Sequence, residues 1–307
     1  MTMNVEWMRG CATALVTPFT KSGAVDEERL RNLIEYQIAG GVKVLVPCGT
    51  TGESATMTEE EDNQVISITV EAAKGRARVI AGTGSNATAV AIENSLTARE
   101  LGADAVLVVA PYYNKPTQEG LYAHFRAIAE AVGDLPVVMY NVPGRTASNI
   151  AATTTLKLAK ENENIVAIKE ASGDLSQIMA ILHNRPEHFR VLSGDDALTF
   201  ALLALGADGL ISVASNEAPA LMSEMIELTL AGDWNKSREL HYKLLPLMEV
   251  NFIESSPGPV KAALAMLNLI EENYRLPLVP VQEKTRGRLR EVLLEVGLLK
   301  ETSHAAS

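Results

Sequence analysis

The feature that most constrains this chain is a rhythm: eight short, β-branched apolar runs alternate with longer segments of helical periodicity along its first three quarters. Strands buried on both faces read as such unbroken apolar runs, and each intervening segment is long enough to carry the chain back across a parallel sheet. Strands are predicted at residues 12–16, 42–47, 78–81, 105–109, 136–140, 165–168, 190–192 and 209–213, with helices between them at 26–39, 59–73, 87–101, 118–131, 151–159, 174–182 and 197–205. A weak internal repeat marks the units. Ala39-Gly40-Gly41-Val42, Leu101-Gly102-Ala103-Asp104 and Leu205-Gly206-Ala207-Asp208 each precede a strand, and a glycine there can end a helix in the left-handed conformation and turn the chain toward the sheet. Eight regular units in succession predict an α/β fold, a (β/α)8 TIM barrel; an open doubly wound sheet is the other arrangement that the pattern allows. Beyond Ser215 the periodicity is purely helical, at 218–231, 234–250, 259–270 and 282–296. We therefore expect a barrel over residues 1–232 and a C-terminal helical region over 233–307, with disorder only in the tail, residues 301–307.

Of 307 residues, 47% are hydrophobic and 21% charged, enough apolar material for one large core. The formal net charge of −11 argues against nucleic acid or an anionic membrane as partner and leaves a small molecule as the expected one. No basic stretch followed by an apolar core opens the sequence, and no apolar run is long enough to span a bilayer, so a cytoplasmic protein is expected. Cys11 and Cys48 fall in apolar runs without ligand spacing, and the five histidines are scattered, so neither a metal nor a cofactor is expected.

In a barrel of this kind the chemistry sits at the C-terminal ends of the strands, which directs attention to the residues that follow each apolar run. The second run opens into Gly49-Thr50-Thr51-Gly52-Glu53-Ser54, where glycines expose backbone N–H groups and two threonines add hydroxyls. That turn suits a carboxylate or phosphate; a tight turn with a hydroxyl cap on the next helix is the plainer reading. The sixth run leads directly into Lys169-Glu170-Ala171-Ser172-Gly173-Asp174. A lysine aimed into the mouth of a barrel is partly desolvated, which favours the neutral amine that attacks a ketone, whereas a lysine at an ordinary strand end reaches out to water. The fourth and fifth runs end in Ala110-Pro111-Tyr112-Tyr113-Asn114-Lys115-Pro116 and in Tyr140-Asn141-Val142-Pro143-Gly144-Arg145-Thr146. Tyrosine hydroxyls can pass protons between a Schiff base and water, and arginine matches a carboxylate; taken singly, each of these residues favours the plainer reading of aromatic lining and a surface arginine.

Gly82-Thr83-Gly84-Ser85-Asn86-Ala87 also follows a strand and precedes a helix, as a dinucleotide fingerprint would. The acidic residue such a site needs at the end of the next strand is missing, because that run ends at Val109-Ala110 and Asp104 lies at its start.

Residues 49–54, 111–116, 140–146, 168–173 and 192–196, five motifs in order at barrel-like intervals, resemble the dihydrodipicolinate synthase family, within the class I aldolases related to N-acetylneuraminate lyase, over nearly the whole chain. The resemblance implies a lyase in which Lys169 forms an imine with pyruvate, whose enamine then attacks L-aspartate 4-semialdehyde. Thr50, Tyr113 and Tyr140 match the family's proton relay, with the tyrosine at the Tyr113 position supplied by a neighbouring subunit. Thr51 matches the residue on the pyruvate carboxylate and Arg145 the residue on the semialdehyde carboxylate, while Gly194 and Ile211 stand where backbone groups line the site. A homo-oligomer is implied, a tetramer built as a dimer of dimers. Arg145 in Pro143-Gly144-Arg145-Thr146 favours this acceptor over those of the sialic-acid and keto-deoxy-sugar-acid aldolases, which share the lysine and the glycine-rich turn. A non-catalytic keto-acid-binding barrel is the alternative from outside enzymology, and retention of the lysine, tyrosine and arginine set argues against it.

Ser54, Ala55, Asn86 and Tyr112 match positions that line the family's lysine-inhibitor site between subunits. Glu59 and Asp62, however, stand where inhibited enzymes often carry histidine, and Val90 where a glutamate grips the inhibitor's amino group. Loss of that carboxylate removes a charge-assisted hydrogen bond worth roughly 1.5–3 kcal/mol, at least tenfold in affinity. Lysine titration of the activity is expected to show weak or no inhibition; strong inhibition at sub-millimolar lysine would contradict this reading.

Overall fold

The computed structural model describes residues 3–300, so the expectation for the tail 301–307 lies outside the described residues. Eight strands, β1 (Gly10–Ala14), β2 (Val44–Val46), β3 (Arg78–Gly82), β4 (Ala105–Val109), β5 (Val137–Asn141), β6 (Ile165–Glu170), β7 (Arg190–Ser193) and β8 (Gly209–Ser212), pair in parallel and in chain order. Pairing of β1 with β8 closes the barrel. The closure is tight: a Cβ on Gly209 would lie 2.4 Å from the Gly10 carbonyl oxygen, so no side chain fits at the seam.

The helices are α1 (Glu27–Ala39), α2 (Glu59–Ala73), α3 (Thr88–Glu100), α4 (Gln118–Val132), α5 (Pro143–Thr146), α6 (Ala152–Glu161), α7 (Leu175–Asn184), α8 (Thr199–Ala204), α9 (Pro219–Leu230), α10 (Trp234–Val250), α11 (Gly258–Met266) and α12 (Glu283–Glu295). Side-chain caps set several starts. Asp26, Thr117, Asp174 and Asp233 each accept a hydrogen bond from a first-turn backbone N–H, and Thr58 with Glu61 forms a reciprocal capping box on α2. Gly41, Gly102 and Gly206 take positive φ angles of 85°, 91° and 98°, the left-handed turns expected from the repeat.

The strand count matches the sequence reading, and the differences in detail have physical causes. The first strand was expected at 12–16 but pairs over Gly10–Ala14, because Leu15 and Val16 stay buried beyond the end of the ladder and apolarity does not mark where pairing stops. The sixth continues past 168 through Lys169 and Glu170, which pair with Tyr140 and Asn141. The helix expected over 259–270 ends at Met266, where Asn268 adopts a left-handed φ of 58°. Helix α5, a single turn opened by Pro143, is too short to carry a periodic signal.

One apolar cluster fills the barrel and contains Val44, Val46, Leu107, Tyr140, Leu192 and Ile211. A second lies between the strands and the helices and runs on without interruption through Leu244, Leu247, Ala262, Leu264, Leu289 and Val292 of α10, α11 and α12, so the two sides of Gly232 share one core. Among the described residues no helix is long and apolar enough to cross a membrane.

Helix α11 reaches the barrel through Lys261. Its side chain is 0% exposed, its Nζ lies 2.5 Å from Glu53 Oε1, and it sits over the rings of Phe19 and Tyr274. Replacing Lys261 by methionine leaves the Glu53 carboxylate buried without its counter-charge, a loss of about 3–5 kcal/mol. Denaturant unfolding of Lys261→Met is expected to show that loss, and Glu53→Gln/Lys261→Met to recover a large part of it; a cost below about 1 kcal/mol for the single variant contradicts the assignment.

Candidate active site

The C-terminal ends of β2 to β5 and the loops after them enclose a cavity of about 560 Å3, lined among others by Gly49, Thr50, Tyr140, Arg145 and Thr146. The Gly49–Ser54 turn is shaped by contacts on both sides. A Cβ on Gly52 would meet the Leu15 carbonyl oxygen and the Cys48 amide nitrogen at 3.1 Å, Thr17 Oγ1 donates to the Gly52 carbonyl at 2.7 Å, and Glu53 holds a left-handed φ of 58° while paired to Lys261. Thr50 stands exposed at the cavity wall, whereas Thr51 is buried behind it and outside the lining. The hydroxyl cap on α2 comes from Thr58, not from this turn.

Lys169 projects from the inner face of β6 and is 6% exposed. Its Nζ lies 4.3 Å from the centre of the Tyr140 ring, its register neighbour on β5. A Cβ on Gly194 would lie 3.0 Å from Lys169 Cε, so the glycine leaves room for the lysine's aliphatic stem. Only two lysines are buried among the described residues. Lys261 is ion-paired with Glu53; Lys169 forms no ion pair there. Ile211, on β8, packs in the inner cluster with Tyr140.

Arg145 lies exposed on α5 and reaches the cavity wall. Tyr113 does not join the cavity of its own chain: it is 89% exposed on a loop with a positive φ of 73°. Of the residues matched to an inhibitor site, Ser54, Ala55 and Tyr112 line the cavity with Glu59, Asp62 and Val90, while Asn86 lies outside the lining and its carbonyl accepts from Asn114 Nδ2 at 2.9 Å. The glycine-rich segment after β3 has a packing explanation. A Cβ on Gly82 would lie 2.2 Å from the Cys48 carbonyl oxygen and one on Gly84 2.4 Å from the Val109 amide nitrogen, so these glycines permit close approach of neighbouring strands.

Sequence reasoning missed the role of Glu170 and the burial of Asp62. Glu170 is 1% exposed on the outer face of β6 and accepts from Asn141 Nδ2, the Ser172 amide and Gln177 Nε2. Asp62 is bonded through Oδ2 to Ser54 Oγ at 2.8 Å, while its buried Oδ1 has no partner among the described residues. A signal for Glu170 was available, since a charged residue directly after an inward lysine on a doubly covered strand must be buried.

A (β/α)8 barrel with a buried lysine, without an ion-pair partner among the described residues, at the C-terminal end of a strand and beside a tyrosine is the arrangement of a lysine-dependent, aldolase-type enzyme. The chain belongs to the dihydrodipicolinate synthetase family, whose model matches residues 7–296. It is 54% identical over 299 residues to the 4-hydroxy-tetrahydrodipicolinate synthase of Koribacter versatilis, covering 97% of this chain and 99% of the relative, and 52% identical over 296 residues to that of Acidobacterium capsulatum, covering 96% and 98%. The crystal structure of dihydrodipicolinate synthase from Aquifex aeolicus superposes with a TM-score of 0.93 at 48% identity, covering 96% of this chain and 100% of that one. The chain is thus a lyase of this family.

Burial pushes the Asp62 carboxyl up to about 6 from an ordinary 3.8. Because the folded-state value is the higher one, its contribution to stability is full below the ordinary value and is lost as pH rises through about 6. A tenfold change in proton affinity corresponds to about 1.4 kcal/mol, and the group's partial exposure reduces the total. Asp62→Asn is therefore expected to be about 1–2 kcal/mol more stable than the parent at pH 7, with the difference opening between about pH 4 and 6 in denaturant melts; parallel pH curves for the two proteins would contradict this.

Proposed function

We propose that the chain has 4-hydroxy-tetrahydrodipicolinate synthase activity, condensing pyruvate with L-aspartate 4-semialdehyde through an imine on Lys169. The observation that carries this reading is the contrast between the two buried lysines: Lys261 is ion-paired with Glu53, whereas Lys169 lies against Tyr140 and forms no ion pair among the described residues. A lysine amine held without an ion-pair partner is free to add to a ketone. The 54% identical relative of the same name supports the choice of reaction, and the neighbouring Acinetobacter baumannii structure, 46% identical with a TM-score of 0.92, is described as complexed with pyruvate.

In the proposed sequence Lys169 Nζ adds to the C2 carbonyl of pyruvate, and loss of water leaves the imine. Removal of a C3 proton gives the enamine, whose C3 forms the new carbon–carbon bond with the semialdehyde's aldehyde carbon, the aldehyde oxygen taking a proton. The acceptor's amino group then attacks the imine carbon and displaces the lysine amine, closing the ring and freeing the enzyme. Tyr140 lies beside the imine nitrogen and, with Thr50 and the partner subunit's Tyr113, forms a relay that carries these protons. Thr51 and the backbone of the Gly49–Gly52 turn hold the pyruvate carboxylate, Gly194 and Ile211 supply backbone lining, and Arg145 takes the acceptor's carboxylate with a two-pronged hydrogen bond.

This assignment requires a second copy, because Tyr113 lies outside its own cavity. We propose a homodimer as the catalytic unit, assembled in pairs as a tetramer. The exposed Tyr112 and Val90, on the same rim of the cavity, support burial of this face by a partner. We also retain residues 1–232 as the catalytic barrel and 233–307 as a helical region that braces it through Lys261, and expect the enzyme in the cytoplasm.

The test is oxidation of reduced nicotinamide cofactor when both substrates are supplied together with the reductase that consumes the product. Oxidation that needs both substrates and falls by at least about 1,000-fold in Lys169→Ala is expected. No turnover in the parent, despite a trappable pyruvate imine, would point to an aldolase with a different acceptor.

A further inference from the structure

We infer that Asn141 and Glu170 are positioning residues which, from the outer face of the barrel, fix the register that sets Tyr140 against Lys169 on the inner face. The inference rests on Lys169 being the imine-forming residue proposed above, and goes beyond it by assigning the lysine's alignment to a polar clamp that touches no substrate.

The β5–β6 ladder is irregular. Val137 pairs with Ile165 but Val138 pairs with Ala167, so Val166 is an extra residue in β6. Val166 and Ala167 both pack into the inner cluster, which is how a bulge resets the in–out alternation. Beyond it the phase is clear: Val138 and Ala167 face in, Met139 and Ile168 face out, Tyr140 and Lys169 face in, Asn141 and Glu170 face out. In a ladder of period two, losing the bulge would slip β6 by one residue against β5, and the lysine or the tyrosine would then face the helix layer rather than the inner cluster. The apolar pairs Val138 with Ala167 and Met139 with Ile168 discriminate weakly between such registers, since small aliphatic side chains tolerate either face of a doubly covered strand.

The pair just outside them does discriminate. Asn141 is 0% and Glu170 1% exposed. Asn141 Nδ2 donates to both oxygens of Glu170, at 3.2 and 3.1 Å, and its Oδ1 accepts the Ile150 amide at 2.9 Å. Glu170 also accepts the Ser172 amide at 2.8 Å and Gln177 Nε2 at 3.2 Å, while Asn149 Oδ1 accepts from both Asn141 and Gln177. The carboxylate is thus held by neutral donors from β5, from the turn after β6 and from α7, and among the described residues no cation contacts it to supply a generic charge attraction. A one-residue slip would strip a buried carboxylate of these donors, so the clamp penalises every register but one.

The full-length enzyme tests this with Glu170→Gln, Asn141→Asp and the double swap Asn141→Asp/Glu170→Gln, which restores a donor–acceptor pair in the reverse sense. Steady-state kcat, KM for pyruvate, the rate at which borohydride quenching captures the imine, and the thermal midpoint are measured for each. Glu170→Gln is expected to lower kcat and the imine-forming rate by about tenfold or more, with KM for pyruvate changed less than about threefold, and the double swap to regain most of the lost kcat. Should Glu170→Gln fail to fold, Gln177→Leu, which removes one of the carboxylate's donors together with the Gln177–Asn149 hydrogen bonds, is expected to give a graded loss of about two- to fivefold in the same rate. A lowered thermal midpoint with kcat unchanged, or a double swap no more active than the poorer single variant, overturns the positioning role. Failure of the parent enzyme to trap pyruvate at all would strike the proposed function instead.

Discussion

Closing eight parallel strands on themselves gives every strand residue one of two destinations, the small cluster inside the barrel or the larger layer under the helices. There is no solvent face to absorb an error, because both sides of each strand are covered. The inner cluster is narrow, so a long polar side chain entering it has room only toward the open C-terminal end. Lys169 and Tyr140 take that route together, since β5 and β6 place them at the same level. The geometry of the whole site depends on this shared level.

The same constraint separates two lysines of similar burial into different kinds of work. Lys261 comes from α11 and meets Glu53 at the base of the Gly49–Ser54 turn, where its charge is cancelled and its stem packs on Phe19 and Tyr274. That contact braces the backbone of a turn that lines the cavity. Lys169 meets an aromatic ring and a glycine instead, and its amine forms no ion pair among the described residues. The helices beyond Gly232 thereby act on the site without lining it.

Much of this is legible in the sequence because doubly buried strands advertise themselves as continuous apolar runs, and because Lys169 directly follows one of them. What escapes is of two kinds. Strand ends are blurred where apolar residues such as Leu15 and Val16 continue past the ladder, and where the polar residues Lys169 and Glu170 still belong to it. Partnerships across the fold are also hidden: nothing in the local pattern joins Glu53 to Lys261, 208 residues away, although a lone lysine in the apolar stretch Gly258–Met266 hints that it has a partner. Nor does a single chain's pattern reveal that Tyr113 stands outside its own cavity.

Borohydride reduction of the enzyme in the presence of pyruvate, followed by peptide mass spectrometry, tests directly whether Lys169 is the nucleophile. One modification is expected, on the peptide containing Lys169, absent without pyruvate and absent in Lys169→Ala. Modification of another lysine, or none at all under conditions of turnover, would contradict it.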